Sequence, residues 1–394
     1  MTKKERLAWL LLGLAALVTR FAVLGDRVPH HDEAVHAHIA RELLLLAKYR
    51  YDPTYHGPLQ FYVMAPLLAL FGQNDFVARL WAATCGVGWV LAPLLLRRRI
   101  GAAAALATSL LILLSPTLTY YARFAREDTP VGFFTFTAAA LLLAGQRSRH
   151  YALVPVGVLL ALHLASKETF YVYLAVVGPA LLATLWVGGR DVRRRLWSWV
   201  VSQRLKLLAG MLVFFALSLT LYTVFFRYPE DVLFPVKAFT YWWGQHQMER
   251  VAGPPWYYLP RLTLYEFLTL GLAAAFFLRR RWHCNPTWLF FLFWGLFSLA
   301  MYAYLGEKVP WLAVHQILPW LIPAGAVLGR VLARGGSLGQ RLVVGLAVVA
   351  TLWQNYHAVY ANPAIEPATG KAELLVYVQT VPSLRQVIEE GKAL

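Results

Sequence analysis

Apolar runs long enough to cross a membrane recur along almost the whole chain, and they constrain its fold more than any other feature. Hydrophobic residues make up 59% of the 394 residues and charged residues only 14%. A soluble protein of this size could not bury that much apolar surface, so lipid must solvate most of it. Runs of roughly 16 to 22 residues fit helices better than the short alternating strands of a barrel. The sequence therefore predicts an all-α integral membrane protein.

Basic residues are concentrated in short loops between these apolar runs. Under the positive-inside rule such loops lie on the cytoplasmic side of the membrane. The net charge of +17 is therefore explained by topology, and nucleic acid is not expected as a partner. The two cysteines, Cys85 and Cys284, have no metal-ligand spacing. The basic loops lie at residues 3–6, 97–99, 147–149, 190–206, 279–281 and 330–341.

Placing these loops on one side predicts eleven transmembrane helices in the cytoplasmic (inner) membrane, with the N-terminus inside and the C-terminus outside. The first run is not followed by a signal-peptide cleavage site and is predicted to stay attached. The predicted spans are residues 7–25, 76–96, 101–121, 130–145, 151–166, 170–188, 206–226, 262–279, 288–305, 316–332 and 341–357.

One apolar run, residues 58–71, does not fit this pattern. Fourteen helical residues reach only about 21 Å, less than a hydrocarbon core of about 30 Å. We expect a re-entrant or interfacial helix within a first outer loop, residues 26–75. A long outer loop follows at 226–260. Residues 1–357 then form the transmembrane domain, and residues 358–394 form a short outer tail, with a strand-like segment at 372–380 and a helix at 383–394.

The segment "HHDEAVHAHIAREL", residues 30–43, carries the densest group of titratable side chains. In a helix, Asp32, Glu33 and His36 share one face. A partly desolvated carboxylate there is suited to act as a general base, although acids at a helix start are also common for electrostatic reasons alone. His31 and His36, with Asp32, leave open a loosely held divalent cation, since no histidine pair at zinc spacing is joined to a glutamate base.

Other charged and aromatic residues also fall in predicted outer loops. Ionisable groups close to the hydrocarbon are costly, so they indicate either function or mutual pairing. Several cations at one interface suit a lipid-linked phosphate. Aromatic residues in the 226–260 loop are typical of an interfacial belt, but they can also stack on a sugar. The candidates are Arg123, Arg126, Glu127, Asp128, Lys167, Glu168, Trp243, His246, Glu307 and Lys308.

The order of several short motifs resembles the GT-C membrane glycosyltransferases. These motifs are Asp-Glu after the first span, then "YHGPLQFY", "GQNDFVARL" and "SPTLTYYARFARED". They are similar to the dolichyl-phosphate-mannose–protein mannosyltransferase and aminoarabinose transferase branch. "SKETF", "GQHQMERVAGPPWYY" and "GEKVPWL" resemble the prokaryotic flippase-activity-associated, mannosyltransferase-like group. The likeness extends from residue 1 to around residue 360.

This resemblance implies a GT-C-like bundle with outer-face interfacial helices. It also implies inverting transfer of a sugar from a polyprenyl-phosphate donor to a protein, lipid or glycan acceptor. Asp32 matches the family's base, Asp128 its second acid, and Lys167 the cation that faces lipid phosphate. Arg126 is a further phosphate contact, and His56 stands where relatives carry a His or a Glu.

The remaining roles follow from the chemistry that such a reaction needs. We expect Arg123 and Lys308 to assist at the phosphate, and Glu33 to position the acceptor or a metal. Substrate contacts are expected from Glu127, Glu168, Trp243, His246 and Glu307. No cofactor is expected beyond a possible divalent cation at His31 and His36.

Two other functions would use the same outer groove without breaking a bond. A flippase, or a flippase-accessory protein, for lipid-linked sugars is the main alternative. An ion-coupled transporter ranks last, because it would need ionisable residues near the middle of several spans, whereas here they cluster at one face.

Overall fold

The structure is a computed structural model that describes residues 1–145, 153–247, 253–279, 285–365, 370–377, 380–381 and 383–393. These residues form helices and connecting segments, with no strand among them. Several helices are long and apolar enough to cross a bilayer, so the chain is a multi-pass membrane protein. The seven that meet this description unbroken are Asp75–Ile100, Asp128–Gly145, Thr169–Val187, Gly189–Tyr222, Pro286–Tyr304, Pro310–Ala333 and Leu338–Ala361.

The other four predicted spans also coincide with helices. The first is Lys3–Phe21. The predicted 101–121 span is a pair of helices, Ala102–Leu114 and Pro116–Ala122, bent by 64° because proline cannot continue the backbone hydrogen bonding. Two shorter apolar helices, Leu153–Ser166 and Phe267–Phe277, occupy the remaining positions.

The predicted outer loops also contain helices, which connect the spans at one end of the bundle. The Leu59–Phe71 helix occupies the short apolar run, and its re-entrant placement stays a prediction. The other helices of these loops are His31–Leu46, Pro53–Tyr55, Pro229–Leu233, Phe234–Gln247 and Tyr258–Tyr265.

The basic segment 190–206 is helical, whereas its charge had suggested a loop. It is the first half of a 34-residue helix, Gly189–Tyr222. Arginine, leucine and lysine are good helix formers, and this segment contains no proline. The chain turns instead at Gly189, whose φ of +71° favours glycine.

The tail differs from the sequence expectation in one respect. Residues 371–377 are irregular, so the predicted strand at 372–380 is wrong in the part that the structure describes. They run across the helices, where the Tyr121 hydroxyl donates to the Leu375 carbonyl at 2.7 Å. A strand needs a neighbouring strand to satisfy its backbone, and the helices supply the bonds here instead. A helix follows at Ser383–Ala393, as predicted.

Glycines allow close helix packing in the half of the bundle that lies away from the polar cluster. A Cβ on Gly325 would lie 2.0 Å from the Thr108 Oγ1, and one on Gly329 would lie 2.6 Å from the Ala103 backbone. The Pro310–Ala333 and Ala102–Leu114 helices therefore meet almost backbone to backbone, as small residues permit in membranes.

Candidate active site

Glu33 is the centre of a buried ion network that joins the first outer loop to the bundle. Its side chain is 2% exposed and accepts hydrogen bonds from Arg79 at 2.8 and 3.1 Å and from Arg27 at 2.9 Å. The backbone amides of His30 and Ala125 also donate to it, at 2.9 and 2.8 Å. These five hydrogen bonds leave the carboxylate no free lone pair for a substrate or a metal. The geometry therefore favours a structural anchoring role for Glu33 over the predicted role of positioning the acceptor or a metal.

The side chain of Asp32, the adjacent residue, is partly exposed, in contrast to that of Glu33. Its carboxylate is 24% exposed, which makes it the most accessible acid of the cluster. It forms an ion pair with the Arg126 guanidinium and approaches the His31 Nε2 at 2.7 Å. A carboxylate that is both fixed and reachable can accept a proton from an incoming group.

Arg126 connects Asp32 to the rest of the cluster. Its Nη2 lies 3.3 Å from the His56 Nε2, and its Nε lies 3.7 Å from the Asp128 Oδ2. The guanidinium also lies 4.0 Å above the Trp311 ring. One planar cation thus contacts two acids, an imidazole and an aromatic face.

Asp128 forms the buried half of the cluster at the start of its helix, where the helix dipole favours an acid. It is 1% exposed and accepts from the Lys167 Nζ at 2.8 and 3.0 Å. The His315 Nε2 lies 3.0 Å from the same carboxylate, and the Tyr173 hydroxyl holds the other ring nitrogen at 3.1 Å. Sequence reasoning missed His315, although it ends the polar outer segment that begins at Gly306.

His56 occupies the other side of Arg126. Its Nδ1 lies 2.8 Å from the Glu168 carboxylate, and its ring stacks on Trp242 at 5.0 Å. Burial opposes protonation of this imidazole, but the Glu168 charge outweighs it and raises the pKa of His56. Gly57 makes this approach possible, since a Cβ there would lie 2.1 Å from the carbonyl oxygen of Ala165.

Trp242 stacks on His56, whereas the neighbouring Trp243 is the tryptophan predicted to contact substrate. Trp243 is 52% exposed and stacks on Phe239 at 5.9 Å, so it faces away from His56. Consecutive residues of a helix point in directions about 100° apart, and a loop sequence does not reveal which of two tryptophans faces inward. The His246 side chain lies outside the part of the chain that the structure describes.

Glu127 lies beneath the cluster and is fully buried. Neither of its carboxylate oxygens has a hydrogen-bond partner among the described residues, and the His36 Nε2 is 3.4 Å away. Burial would raise the pKa of this carboxyl, but the charges of His36 and His56 outweigh it and lower the pKa. The His36 Nδ1 also contacts the Ala125 carbonyl at 3.1 Å. Both ring nitrogens of His36 therefore face buried groups of the protein.

The predicted metal pair, His31 and His36, is not brought together. His36 faces Glu127, whereas His31 faces Asp32. The described residues that can share an ion are instead His30, His31 and Asp32, whose ligand atoms all lie within 4.8 Å of one another. The buried His30 Nε2 has no hydrogen-bond partner within the described ranges, and burial lowers the pKa of His30 to about 3, so its ring is neutral. Two imidazoles and a carboxylate fit a borderline divalent cation.

Two predicted phosphate cations serve as helix caps. The Lys308 ammonium donates to the carbonyls of Tyr302 and Ala303, both at 2.8 Å, and to that of Leu305. Arg123 donates to four carbonyls at the end of the first helix, those of Thr19, Arg20, Ala22 and Val23. Last-turn carbonyls lack partners within their own helix, so the geometry favours capping over phosphate binding for both residues. Glu307 is half-buried and forms no hydrogen bond or ion pair with a described residue of the cluster.

We expect Lys308→Met to lower the free energy of unfolding by about 1–3 kcal/mol, because three buried carbonyls would lose their donor. Binding of a lipid phosphate should not change. Thermal unfolding in detergent, together with a lipid-phosphate titration, measures both effects. The exposed Lys48→Met is the matched control. Weaker lipid-phosphate binding in Lys308→Met alone would restore the predicted phosphate role.

Known proteins share this architecture. Residues 55–223 match the family described as dolichyl-phosphate-mannose-protein mannosyltransferase. The structure of ArnT from Cupriavidus metallidurans bound to undecaprenyl phosphate is similar with a TM-score of 0.67 and 22% identity, over 90% of this chain and 65% of that one. Oligosaccharyltransferase AglB from Archaeoglobus fulgidus, in complex with an inhibitory peptide and a dolichol-phosphate, is similar with a TM-score of 0.62 and 13% identity, over 98% of this chain and 57% of that one.

A further structure of the Archaeoglobus fulgidus oligosaccharyltransferase, in complex with Zn and sulfate, has a TM-score of 0.60 and 15% identity, over 98% of this chain and 55% of that one. No curated protein sequence matches the chain. The chain spans less than two thirds of the length of these solved relatives. The resemblance expected from the motifs is confirmed at the level of fold: this protein has the GT-C-type membrane fold of ArnT and AglB, and its residues 55–223 match the dolichyl-phosphate-mannose-protein mannosyltransferase family.

Proposed function

We propose that this protein is a membrane glycosyltransferase that transfers a sugar from a polyprenyl-phosphate donor to a protein, lipid or glycan acceptor with inversion. The single observation that carries this proposal is the position of Asp32, an accessible carboxylate held by Arg126 beside the buried Lys167–Asp128 pair. A base and two buried cations, Arg126 and Lys167, thus lie at one end of the bundle. The family match and the fold supply the reaction class.

In this reaction Asp32 is the general base. It accepts the proton of the acceptor group while that group forms a bond to the anomeric carbon. The bond from that carbon to the phosphate oxygen breaks on the opposite face, and the electron pair leaves with polyprenyl phosphate. One displacement inverts the configuration and needs one base.

The cations stabilise the departing phosphate, where negative charge develops. Arg126 is the first candidate, because its guanidinium already lies between the two acids and can exchange a carboxylate for a phosphate. The Lys167 ammonium donates to Asp128 at 2.8 Å. An ammonium has three N–H donors, so Lys167 can donate to the phosphate while it keeps its contact with Asp128. Glu168 and His56 then fix the side of Arg126 that faces away from Asp32.

We place this site on the extracytoplasmic face of the cytoplasmic membrane, with the N-terminus inside. The charged residues of the cluster come from loops that lack the basic runs of the opposite end. A divalent cation at His30, His31 and Asp32 would supply electrostatic help at the acceptor, and none of the steps above depends on it.

The direct test is a transfer assay with purified protein in liposomes that contain a polyprenyl-phosphate hexose. Mannose is the first sugar to try, because the matching family is described by it. The expected result is a glycosylated acceptor whose anomeric configuration, read by NMR, is opposite to that of the donor. A product of retained configuration would refute the single displacement. Movement of the lipid-linked sugar between leaflets without any transfer would favour the flippase.

Arg126→Ala is expected to weaken polyprenyl-phosphate binding by roughly 10- to 100-fold, because a charge-assisted contact of about 1.5–3 kcal/mol is lost. For Lys167 a single change would take from the buried Asp128 the cation that donates both of its lysine hydrogen bonds. The Lys167→Met/Asp128→Asn double variant removes both charges together and is the better test. Binding by the purified variants, compared with the Lys48→Met control, measures the effect. Unchanged affinity in either variant would remove that cation from the phosphate site.

A further inference from the structure

A cavity of about 860 Å³ lies at the end of the bundle opposite to the polar cluster. The lengths of two helices give the distance between the cavity and the polar cluster. Leu143, in the cavity wall, follows Asp128 by fifteen residues of one helix, which is about 22 Å at the rise of an α-helix. Arg330 follows His315 by the same number in Pro310–Ala333. The cavity is therefore separate from the candidate active site.

The cavity has two kinds of surface. Its walls are apolar and come from several helices that meet there. Its rim carries three arginines, and no acidic residue is present among the described residues that line it. The apolar wall includes Leu143, Phe276, Trp288, Phe291, Ile322 and Ala326, and the rim arginines are Arg99, Arg279 and Arg330.

The backbone adds to the positive potential at the rim. Two lining residues, Gly101 and Asn285, are the N-caps of the Ala102–Leu114 and Pro286–Tyr304 helices, and the Asn285 side chain accepts from the Thr287 amide of its own helix at 2.9 Å. Gly101 has no side chain with which to cap the first amides of its helix. Amides at a helix start favour anions. Here they lie beside guanidinium groups, which can form bidentate hydrogen bonds to a phosphate. An anion at this rim would be held by both kinds of donor.

We propose that this cavity binds an anionic glycerophospholipid, with its phosphate at the three arginines and its acyl chains along the apolar wall. A free phosphate would leave the apolar wall exposed, and a zwitterionic lipid would place a second cation among the arginines. In the proposed topology the basic loops place this end of the bundle on the cytoplasmic side. Basic pockets between membrane helices on that side bind the head groups of anionic lipids. The bound lipid fills the space between the helices and stabilises this end of the bundle. This site does not depend on the proposed transfer reaction.

The test uses the purified full chain, depleted of lipid in detergent, with phosphatidylglycerol as the probe. We expect phosphatidylglycerol to raise the unfolding temperature and to be retained in native mass spectrometry, in preference to phosphatidylcholine. The Arg99→Gln/Arg279→Gln/Arg330→Gln variant should bind it at least 10-fold more weakly. The matched control is Arg193→Gln/Arg194→Gln/Arg195→Gln, which removes the same charge from exposed positions of the basic helix segment.

A second variant keeps the charges and fills the space. Ala326→Phe leaves all three arginines in place but occupies the apolar wall, and it should also lose phosphatidylglycerol retention. This variant covers the case in which the triple variant does not fold. Equal losses in the two arginine variants would mean general surface charge and would overturn the proposal. So would equal stabilisation by phosphatidylcholine, protection by inorganic phosphate alone, or stronger retention of undecaprenyl phosphate than of phosphatidylglycerol.

Discussion

Asp32→Asn is expected to reduce sugar transfer by at least about 100-fold, the lower end of what a positioned general base contributes. Asparagine keeps the size of the side chain and can still accept a hydrogen bond from Arg126, but it cannot take the acceptor's proton. The buried Arg126 guanidinium keeps a counter-charge, because Asp128 lies 3.7 Å from its Nε. The unfolding temperature should therefore stay within a few degrees of the wild-type value. The rate is measured in the liposome transfer assay.

Binding of polyprenyl phosphate is the control for this variant. Binding should be retained or slightly strengthened, since the Asp32 carboxylate no longer competes with the phosphate for Arg126. Full transfer activity in Asp32→Asn would refute the base assignment. If wild-type protein shows no transfer, a scrambling assay on both proteins separates the alternatives, and undiminished movement of lipid-linked sugar in the variant would favour a flippase.

Glu33→Gln is expected to have the opposite phenotype and to destabilise the protein by about 3–5 kcal/mol, the range for breaking a buried ion pair. Arg27 and Arg79 would keep their charges in the interior without a counter-charge. The amides of His30 and Ala125 would compete for one remaining oxygen acceptor. Chemical or thermal unfolding measures the loss. Activity per folded molecule should fall much less than in Asp32→Asn.

The same residue predicts how stability depends on pH. Burial by itself would raise the pKa of the Glu33 carboxyl, but the charges of Arg27 and Arg79 outweigh it and lower the pKa from 4.5 to about 2. A carboxyl whose pKa is lower in the folded state stabilises the fold above its unfolded value and loses that effect as pH falls. Wild-type stability should therefore drop between about pH 4.5 and pH 2, and Glu33→Gln should remove part of that drop. Identical acid profiles would contradict the anchoring role.

Hydropathy and charge placement predicted the helices because both depend on local sequence. A run of apolar residues must be helical in lipid, since its backbone has no other partner there. The 190–206 segment shows the limit of this reasoning. Its arginines predicted a side of the membrane, but they did not show that the segment itself is the first half of the Gly189–Tyr222 helix.

The cluster itself could be predicted only in part. Asp32, Arg126, Asp128 and Lys167 were predicted from their loops and do meet. Residues without a chemical signature of their own were missed. His315 is one such residue, because nothing in the sequence around it shows that it would face Asp128 across the bundle.

The sequence by itself determined that the chain is a bundle of membrane helices with charged segments between them. Only the tertiary structure decided which charge does what. Arg123 and Lys308 cap helix ends, whereas Arg126 contacts Asp32, although all three are cations beside apolar spans. Asp32 and Glu33 are neighbours, yet one is accessible and the other is enclosed by two arginines. The reason is that the role of a charge depends on its partners, and these partners lie up to 187 residues away in the sequence, where packing of the helices brings them together.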